Sequence, residues 1–277
     1  MLYSYNRPAL TITAPAGGAI LTDPARLTNG RPRSKTRCTW TAGAQTTSTT
    51  MALQCIAGSA FVPRMAAILG TDLPVGLPMQ AQTFNGSTWS NVGSADQVRA
   101  TPTGGRIVCI VLPTGLAATT GVRFVFTNNI GGSTVLTAGQ EFTLGEAWPS
   151  GGDDIDIEPG YAIGFADSTK TTWSRDQQPQ TRIGVPQRTL TFTPAAAVQD
   201  TEFGTGAGTD LGAIYASMLG GQPILCVPRY KDASGVYSSA ITARNAIFGL
   251  ASQLPGYSHA AGPWYTNAAI KVAEAAM

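Results

Sequence analysis

The sequence has little charge and few of the side chains that catalysis and metal binding use most. Charged residues make up 12% of its 277 residues, and His259 is its single histidine. This charged share is about half the usual one. One histidine excludes a two-histidine metal site, and no G-x-S-x-G motif accompanies His259 as it would in many hydrolases. We therefore predict a loop histidine, no catalytic residue, no cofactor and no enzymatic activity.

The sequence also lacks paired cysteine motifs and long apolar runs. Four widely spaced cysteines form no C-x-x-C motif: Cys38, Cys55, Cys109 and Cys226. They are predicted to be buried free thiols in a protein made in a reducing cytosol. No run of 18 apolar residues is present, so we predict no membrane-spanning segment. The first residues lack the apolar core of a signal peptide.

Turn residues and short alternating segments dominate the first part of the chain. Glycine (32 residues) and proline (18) are abundant, which is typical of β-rich proteins with many turns. Asn85-Gly86 between two alternating runs predicts a hairpin. The β-branched run Arg106–Leu112 predicts a buried central strand, and Pro63 predicts that Phe61–Leu69 is an edge strand or a bulge. Residues 1–175 are therefore predicted to form a β-sandwich or jelly roll.

Residues 176–277 are predicted to form a smaller α+β domain. The polar stretch Asp167–Gln180 is interpreted as the connection between the two domains. Apolar residues follow a helical period over 210–219, with Asp210 as the N-cap and Gly220-Gly221 at the end. Strands are predicted over 188–193, 223–227, 246–251 and 264–274. The fold class is thus mainly β, with one helix on an antiparallel sheet in the second domain.

Charge is segregated along the chain although the net charge is only +2. Residues 1–65 hold seven basic and one acidic residue (+6), whereas residues 140–176 hold two basic and eight acidic ones (−6). Such blocks pair either within one chain or between copies in a ring. The candidate interface residues are Arg31, Arg33, Lys35, Arg37, Asp153, Asp154, Asp156 and Glu158.

The basic candidates are predicted to form one row on an extended strand. The segment Leu27–Trp40 begins with turn chemistry at Asn29-Gly30 and then alternates. Arg31 and its basic neighbours at every second position therefore share a face, with Trp40 on the opposite face. Because no aromatic residue interleaves the row, we predict no nucleic-acid binding.

The acidic candidates invite a second interpretation. Asp154, Asp156 and Glu158 alternate, so on an extended chain they share a face and offer oxygen ligands to calcium. Their spacing matches no complete calcium loop, and a solvated or interfacial acidic loop is the alternative. We predict no bound metal and name these three residues as the metal candidates.

Four segments resemble structural proteins of long-tailed bacteriophages and their prophage relatives. They are Leu27–Trp40, Phe61–Leu69, Val122–Phe126 and Leu144–Pro149; Asn29 stands where the family's turn has aspartate. The resemblance implies a galactose-binding-like (discoidin-like) jelly roll followed by a tail-tube or distal-tail ring domain. It implies a virion protein of the tail tip or baseplate, a distal-tail or minor tail protein, made in the cytoplasm of a bacterial host.

Assembly is the function that this resemblance implies. The protein would form a homo-oligomeric ring and link the tail tube to other phage tail proteins at the tip. The alternative is a carbohydrate-binding or host-receptor recognition module that holds a glycan, and a glycan-cleaving enzyme ranks third. Aromatic residues in predicted loops either stack on sugars or pack at subunit contacts: Trp89, Trp148, Tyr161 and Trp173.

Overall fold

The protein is mainly β, and its sheets are antiparallel. The computed structural model describes residues 1–5, 7–13, 17–155, 157–158, 160–166, 169–174, 176–182, 184, 186–195, 197–198, 215–218, 221–253, 257–261 and 264–277. The chain forms two compact units. Unit 1 contains residues 1–154, 225–246 and 277, and unit 2 contains residues 155–224 and 247–276. This division differs from the boundary predicted at residue 175, since residues 225–246 return to unit 1.

Unit 1 is built on a two-sheet β-sandwich; strands are numbered in chain order. One sheet has the order β2 (Leu10–Thr13), β5 (Thr50–Phe61), β12 (Thr119–Thr127), β7 (Pro78–Phe84) and β8 (Trp89–Asn91), with β9 (Asp96–Gln97) also on β7. The other has the order β10 (Arg99–Ala100), β11 (Arg106–Val111), β6 (Met65–Leu69) and β14 (Glu146–Ser150). Two three-stranded ladders complete the unit. One has the order β13 (Glu141–Leu144), β4 (Thr36–Thr39), β3 (Ala19–Ile20), and the other places β1 (Leu2–Ser4) between β15 (Asp153–Asp154) and β21 (Ile224–Val227).

Alternation along the strands creates the core of the sandwich. On β12, Val122, Phe124 and Phe126 are fully buried, whereas the residues between them are partly exposed. They pack with Ile68 of β6 and Ile110 of β11 in one apolar cluster. Because alternate residues of a strand point to opposite faces, this period-2 pattern buries one face of the longer sheet. The predicted hairpin at Asn85-Gly86 is confirmed, since it joins β7 to β8.

Three strands of the four-stranded sheet, β11, β6 and β14, are buried on both faces, which corrects one prediction. All five residues of β6 are buried, and β6 lies between β11 and β14. The edge-strand prediction for Phe61–Leu69 is therefore wrong, because Pro63 lies in the turn between β5 and β6. Arg106–Leu112 is confirmed as a buried interior strand.

Residues 225–246 supply a helix that the sequence analysis missed. Helix α1 (Ser239–Asn245) begins at the N-cap Ser238, whose side chain accepts a hydrogen bond from the amide of Ile241. Arg99 donates to the Ser239 hydroxyl at 2.7 Å, and Tyr237 donates to the carbonyl of Cys109 at 3.3 Å. These bonds, with the pairing of β21 to β1, hold the segment in unit 1. Helix α1 has seven residues, which is too short for a clear apolar period.

The strand predicted to follow the Asn29-Gly30 turn and to run to Trp40 is mostly wrong. Residues Pro24–Thr28 form a 3-10 helix with Asp23 as its N-cap, and β4 covers only Thr36–Thr39. Arg31, Arg33 and Lys35 therefore lie in an irregular turn rather than in a row on a strand. The fixed φ of Pro32 and the positive φ of Gly30 (74°) favour a turn over an extended chain.

Unit 2 contains two small sheets and a separate hairpin. One sheet has the order β22 (Ile247–Gln253), β25 (Ile270–Glu274), β19 (Gln187–Phe192) and β16 (Ala162–Ala166). The other has the order β20 (Ala197–Val198), β24 (Trp264–Asn267) and β23 (Tyr257–Ala261). The hairpin is β17 (Lys170–Trp173) with β18 (Pro179–Arg182), so the polar stretch predicted as a linker is partly β-structure.

The predicted helix over 210–219 falls mainly outside the described residues. Residues 215–218 are helical, and Tyr215 and Met218 are buried. The Tyr215 hydroxyl donates to Asn267 Oδ1 at 2.7 Å. A helical turn packed beside antiparallel strands agrees with the predicted α+β character of this region.

Candidate functional site

Three ion pairs join the basic block to the acidic block within unit 1. Arg7 pairs with Glu146, Arg37 with Glu141, and Arg64 with Asp154. The Arg37 pair is exposed, whereas the other two contain at least one buried side chain. Pairing within one chain, the alternative to the predicted pairing between copies, is therefore realised for these six residues.

Four of the seven basic side chains of residues 1–65 have no ion pair among the described residues: Arg26, and the three neighbours Arg31, Arg33 and Lys35. We name residues 31–35 the basic turn. Arg31 and Arg33 are exposed and Lys35 is half-buried. The turn thus presents positive charge to the solvent on an irregular loop.

Buried Glu146 fixes the start of the basic turn. Its carboxylate accepts hydrogen bonds from the Arg7 guanidinium and from the amide of Gly30, the latter at 2.9 Å. Arg7 also donates to the carbonyl of Thr28 and lies 4.8 Å from the ring centre of Trp148. Burial raises the pKa of Glu146 to about 7, against the opposing effect of Arg7.

Two glycines allow the backbone of the basic turn to pack closely on the strands next to it. A Cβ added at Gly145 would lie 2.0 Å from the carbonyl oxygen of Pro32, and one added at Gly70 would lie 2.8 Å from the same atom. Gly145 is the single residue between β13 and β14. Because it has no side chain, the backbone of the basic turn packs directly against it. The turn is consequently positioned by the backbone contacts of Pro32 with Gly145 and Gly70, and at its start by the hydrogen bond from Gly30 to Glu146.

Arg64, Asp154 and Tyr230 form a second polar cluster. Arg64 donates to Asp154 Oδ2 at 2.7 Å and to the carbonyl of Leu112. The Tyr230 hydroxyl donates to Asp154 Oδ1 at 2.8 Å. Burial, followed by this hydrogen bond, raises the pKa of Tyr230 to about 12. Both carboxylate oxygens of Asp154 are therefore occupied, and its charge is balanced by Arg64.

Two neighbouring cavities share the Arg64–Asp154 pair. The larger one, which we name the acidic cavity, has a volume of about 500 Å³. Its walls include Tyr5, Val62, Asp153 and the backbone of Gly151-Gly152. The smaller one, of about 370 Å³, is lined in part by Tyr230, Tyr237, Lys231 and Ser94.

Asp153 gives the acidic cavity its charge. Its Oδ2 accepts a hydrogen bond from the Tyr5 hydroxyl at 3.3 Å, and no basic side chain pairs with it in the described part of the chain. Because Arg64 balances Asp154, the cavity has one carboxylate charge in excess. Carboxylate, phenol and apolar walls together suit a basic side chain or a hydroxyl-rich ligand.

The structure separates the acidic candidates. Asp153 and Asp154 form β15 at the end of the first segment of unit 1, and Asp156 lies outside the described residues. Glu158 belongs to unit 2, where its amide donates to the carbonyl of Thr193 at 2.9 Å. A single extended strand carrying all three metal candidates is therefore not seen. Within the described ranges, no group of three His, Cys, Asp or Glu residues could hold a metal ion.

Sequence analysis missed the residues that complete the cluster. Arg64 and Asp154 are 90 residues apart, and Tyr230 is 76 residues beyond Asp154. No local spacing could have joined them. The weak signals were Arg64 directly after Pro63 and Tyr230 between two basic residues.

The residues that the sequence also singled out include the four cysteines, two tryptophans and the histidine. The four cysteines are confirmed as buried and free, and burial raises the pKa of the Cys38 thiol to about 12. Trp148 is buried in β14, and its indole donates to Ser4 Oγ at 2.9 Å. Trp89 packs on Phe84 with ring centres 5.0 Å apart. His259 lies on β23, with its side chain outside the described part.

No helix in the described ranges combines the length and apolar character that crossing a membrane requires.

Comparisons with known proteins include a weak structural neighbour. No family model matches the chain, and no curated protein does. Among solved structures, CBM32-1 from a family 31 glycoside hydrolase of Clostridium perfringens matches with a TM-score of 0.37 and 14% identity. The match covers 53% of this chain and 97% of that one. A likeness at this level carries no functional argument.

Proposed function

We propose that this chain is a non-enzymatic structural protein of a bacteriophage tail tip or baseplate, of the distal-tail or minor tail kind. It acts by forming a ring of identical copies that links the tail tube to tip proteins, and its location is the virion. The four segments that resemble such proteins support this proposal. Two of them, Leu27–Trp40 and Leu144–Pro149, contain the residues that meet at Glu146.

Exposed apolar surface on a free sheet edge carries the assembly proposal. Among the described residues, β16 pairs only with β19, so its other edge is open. Phe165 on β16 is 67% exposed, and Trp173 on the β17–β18 hairpin is 70% exposed. An open strand edge with exposed aromatic residues favours pairing with another chain, and aromatic residues are enriched at protein interfaces.

Two substitutions test this proposal. Phe165→Lys and Trp173→Ala remove the exposed rings without opening a core, so each should shift the thermal midpoint little. We expect both variants to lose the oligomer that the wild-type protein forms in sedimentation velocity. Val236→Lys is the matched control, because Val236 is 61% exposed in unit 1. An unchanged oligomer in both test variants would contradict the role of this edge.

The smaller cavity favours a second candidate, a carbohydrate-binding or host-receptor module. Phenol hydroxyls from Tyr230 and Tyr237, the Asp154 carboxylate and Lys231 line one space of about 370 Å³. Such groups hydrogen-bond to sugar hydroxyls, and aromatic faces pack on sugar rings. A glycan array probed with the whole protein tests this candidate. Binding that is abolished by Tyr230→Ala would support it, and an array without signal would contradict it.

A further inference from the structure

We propose that the acidic cavity receives a basic side chain from the basic turn of a second copy of this chain. The inference rests on the proposed self-assembly and identifies one of its contacts. It assigns the cavity at Asp153 as the acceptor surface and residues 31–35 as the donor surface.

The cavity has the composition that a long basic side chain requires. Asp153 supplies a carboxylate without a cationic partner, and Val62, which is 48% exposed, supplies an apolar wall. The Tyr5 ring lies beside the carboxylate through its 3.3 Å hydrogen bond. Lysine and arginine bury their aliphatic stems on apolar surface while the charged end makes polar contacts. A cavity of about 500 Å³ with backbone walls at Gly151-Gly152 leaves room for such a stem.

The ion-paired basic residues of the same block are excluded as occupants. Arg7, Arg37 and Arg64 are held by their own carboxylates. Arg31, Arg33 and Lys35 have no such partner in the described ranges, so their charge remains to be balanced. The excess carboxylate charge at the acidic cavity and the three cations of the basic turn are complementary between copies.

The basic turn is also preorganised for binding. Glu146 holds the amide of Gly30, and the Pro32 backbone rests against Gly145 and Gly70. A segment already fixed in the folded monomer loses less conformational entropy on association. Because the donor and acceptor are different surfaces, the contact is heterologous, and repetition of it can close a ring.

Charge reversal with a rescue variant tests the contact. We expect Asp153→Arg alone, and Arg31→Glu, Arg33→Glu, Lys35→Glu together, each to abolish or greatly weaken the oligomer at low salt. The four changes combined should restore it, since the signs are then exchanged. Lys271→Glu serves as the control, because this residue is exposed and lies on β25, outside the basic turn, the acidic cavity, β16 and the β17–β18 hairpin. Sedimentation velocity reports mass, and thermal melting reports whether each variant folds.

A peptide titration tests the cavity independently of assembly. A synthetic peptide of residues 29–36 should bind the wild-type protein in a salt-dependent manner and bind Asp153→Asn about tenfold more weakly. Equal binding to both proteins would overturn the inference. An Asp153→Arg oligomer identical to the wild type would overturn it as well and leave the proposed function intact. A monomeric wild type, by contrast, would contradict the proposed function itself.

Discussion

At the scale of single residues, unit 2 contains a fully buried ion pair. Arg188 and Glu274 are 0% and 3% exposed. Glu274 Oε1 accepts from Arg188 Nε, and Oε2 accepts from the Arg188 amide, both at 3.0 Å. Removing one partner of such a pair leaves an uncompensated buried charge.

We therefore expect Glu274→Ala to lower the free energy of unfolding by about 3–5 kcal/mol. Glu274→Gln should cost less, because its amide oxygen can still accept a hydrogen bond. Glu141→Ala is the matched control, because both partners of the Glu141–Arg37 pair are exposed. Exposed pairs contribute about 0–1 kcal/mol to the free energy of unfolding. Urea denaturation measures all three. Equal losses for Glu274→Ala and Glu141→Ala would contradict this account.

Glu146 makes stability depend on pH. Its pKa in the folded protein is about 7, against 4.5 for the free side chain. Between these values the folded state binds more protons than the unfolded state, so the free energy of unfolding falls as pH rises. Compared with Glu146→Gln, which mimics the protonated form, the wild type should lose up to about 3 kcal/mol between pH 4.5 and pH 7. The loss should be complete above pH 7.

Urea unfolding of the wild type and Glu146→Gln from pH 4 to pH 8 measures this difference. A constant difference over the whole range would show that the pKa of Glu146 is not raised in the folded state.

At the scale of elements, the junction between β13 and β14 positions the basic turn. A Cβ at Gly145 would lie 2.0 Å from the Pro32 carbonyl oxygen and 2.6 Å from that of Leu69. Both obstacles are backbone atoms, so the chain has to shift. We expect Gly145→Ala to destabilise the protein by at least about 1–3 kcal/mol, as overpacking does.

Gly58→Ala on β5 is the control for this prediction. A Cβ there would meet no atom within 4 Å, and alanine costs less chain entropy than glycine. The control should therefore be neutral or slightly stabilising in urea denaturation. Similar stability of Gly145→Ala and Gly58→Ala would contradict the close packing of the Pro32 backbone on Gly145.

Sequence patterns predicted those elements that have a strong local signal, either a continuous run of β-branched residues or an Asn-Gly turn. The β-branched run of β11 and the Asn85-Gly86 hairpin are of this kind. The β17–β18 hairpin was missed because both of its faces are exposed, and α1 was missed because it is short. The basic turn was misread as a strand because alternation in charge does not establish alternation in burial.

At the scale of the whole molecule, the segregation of charge could be predicted from the sequence. Which of the charged residues pair with each other could not. The three ion pairs between the blocks join residues 90 to 139 positions apart. Only the fold shows which cations these pairs neutralise. Of the two charge blocks within the described part of unit 1, the fold leaves Arg26, the basic turn and Asp153 without an ion pair, and the assembly model depends on the basic turn and Asp153.

The oligomeric state of the wild-type protein tests the central claim most directly. At low salt and high concentration, sedimentation velocity should show one species several times heavier than the 28.7 kDa chain, and negative-stain images should show closed rings. Raising the salt concentration should weaken the assembly, because salt screens the charged contacts. A species of 28.7 kDa at every concentration and salt would contradict self-assembly.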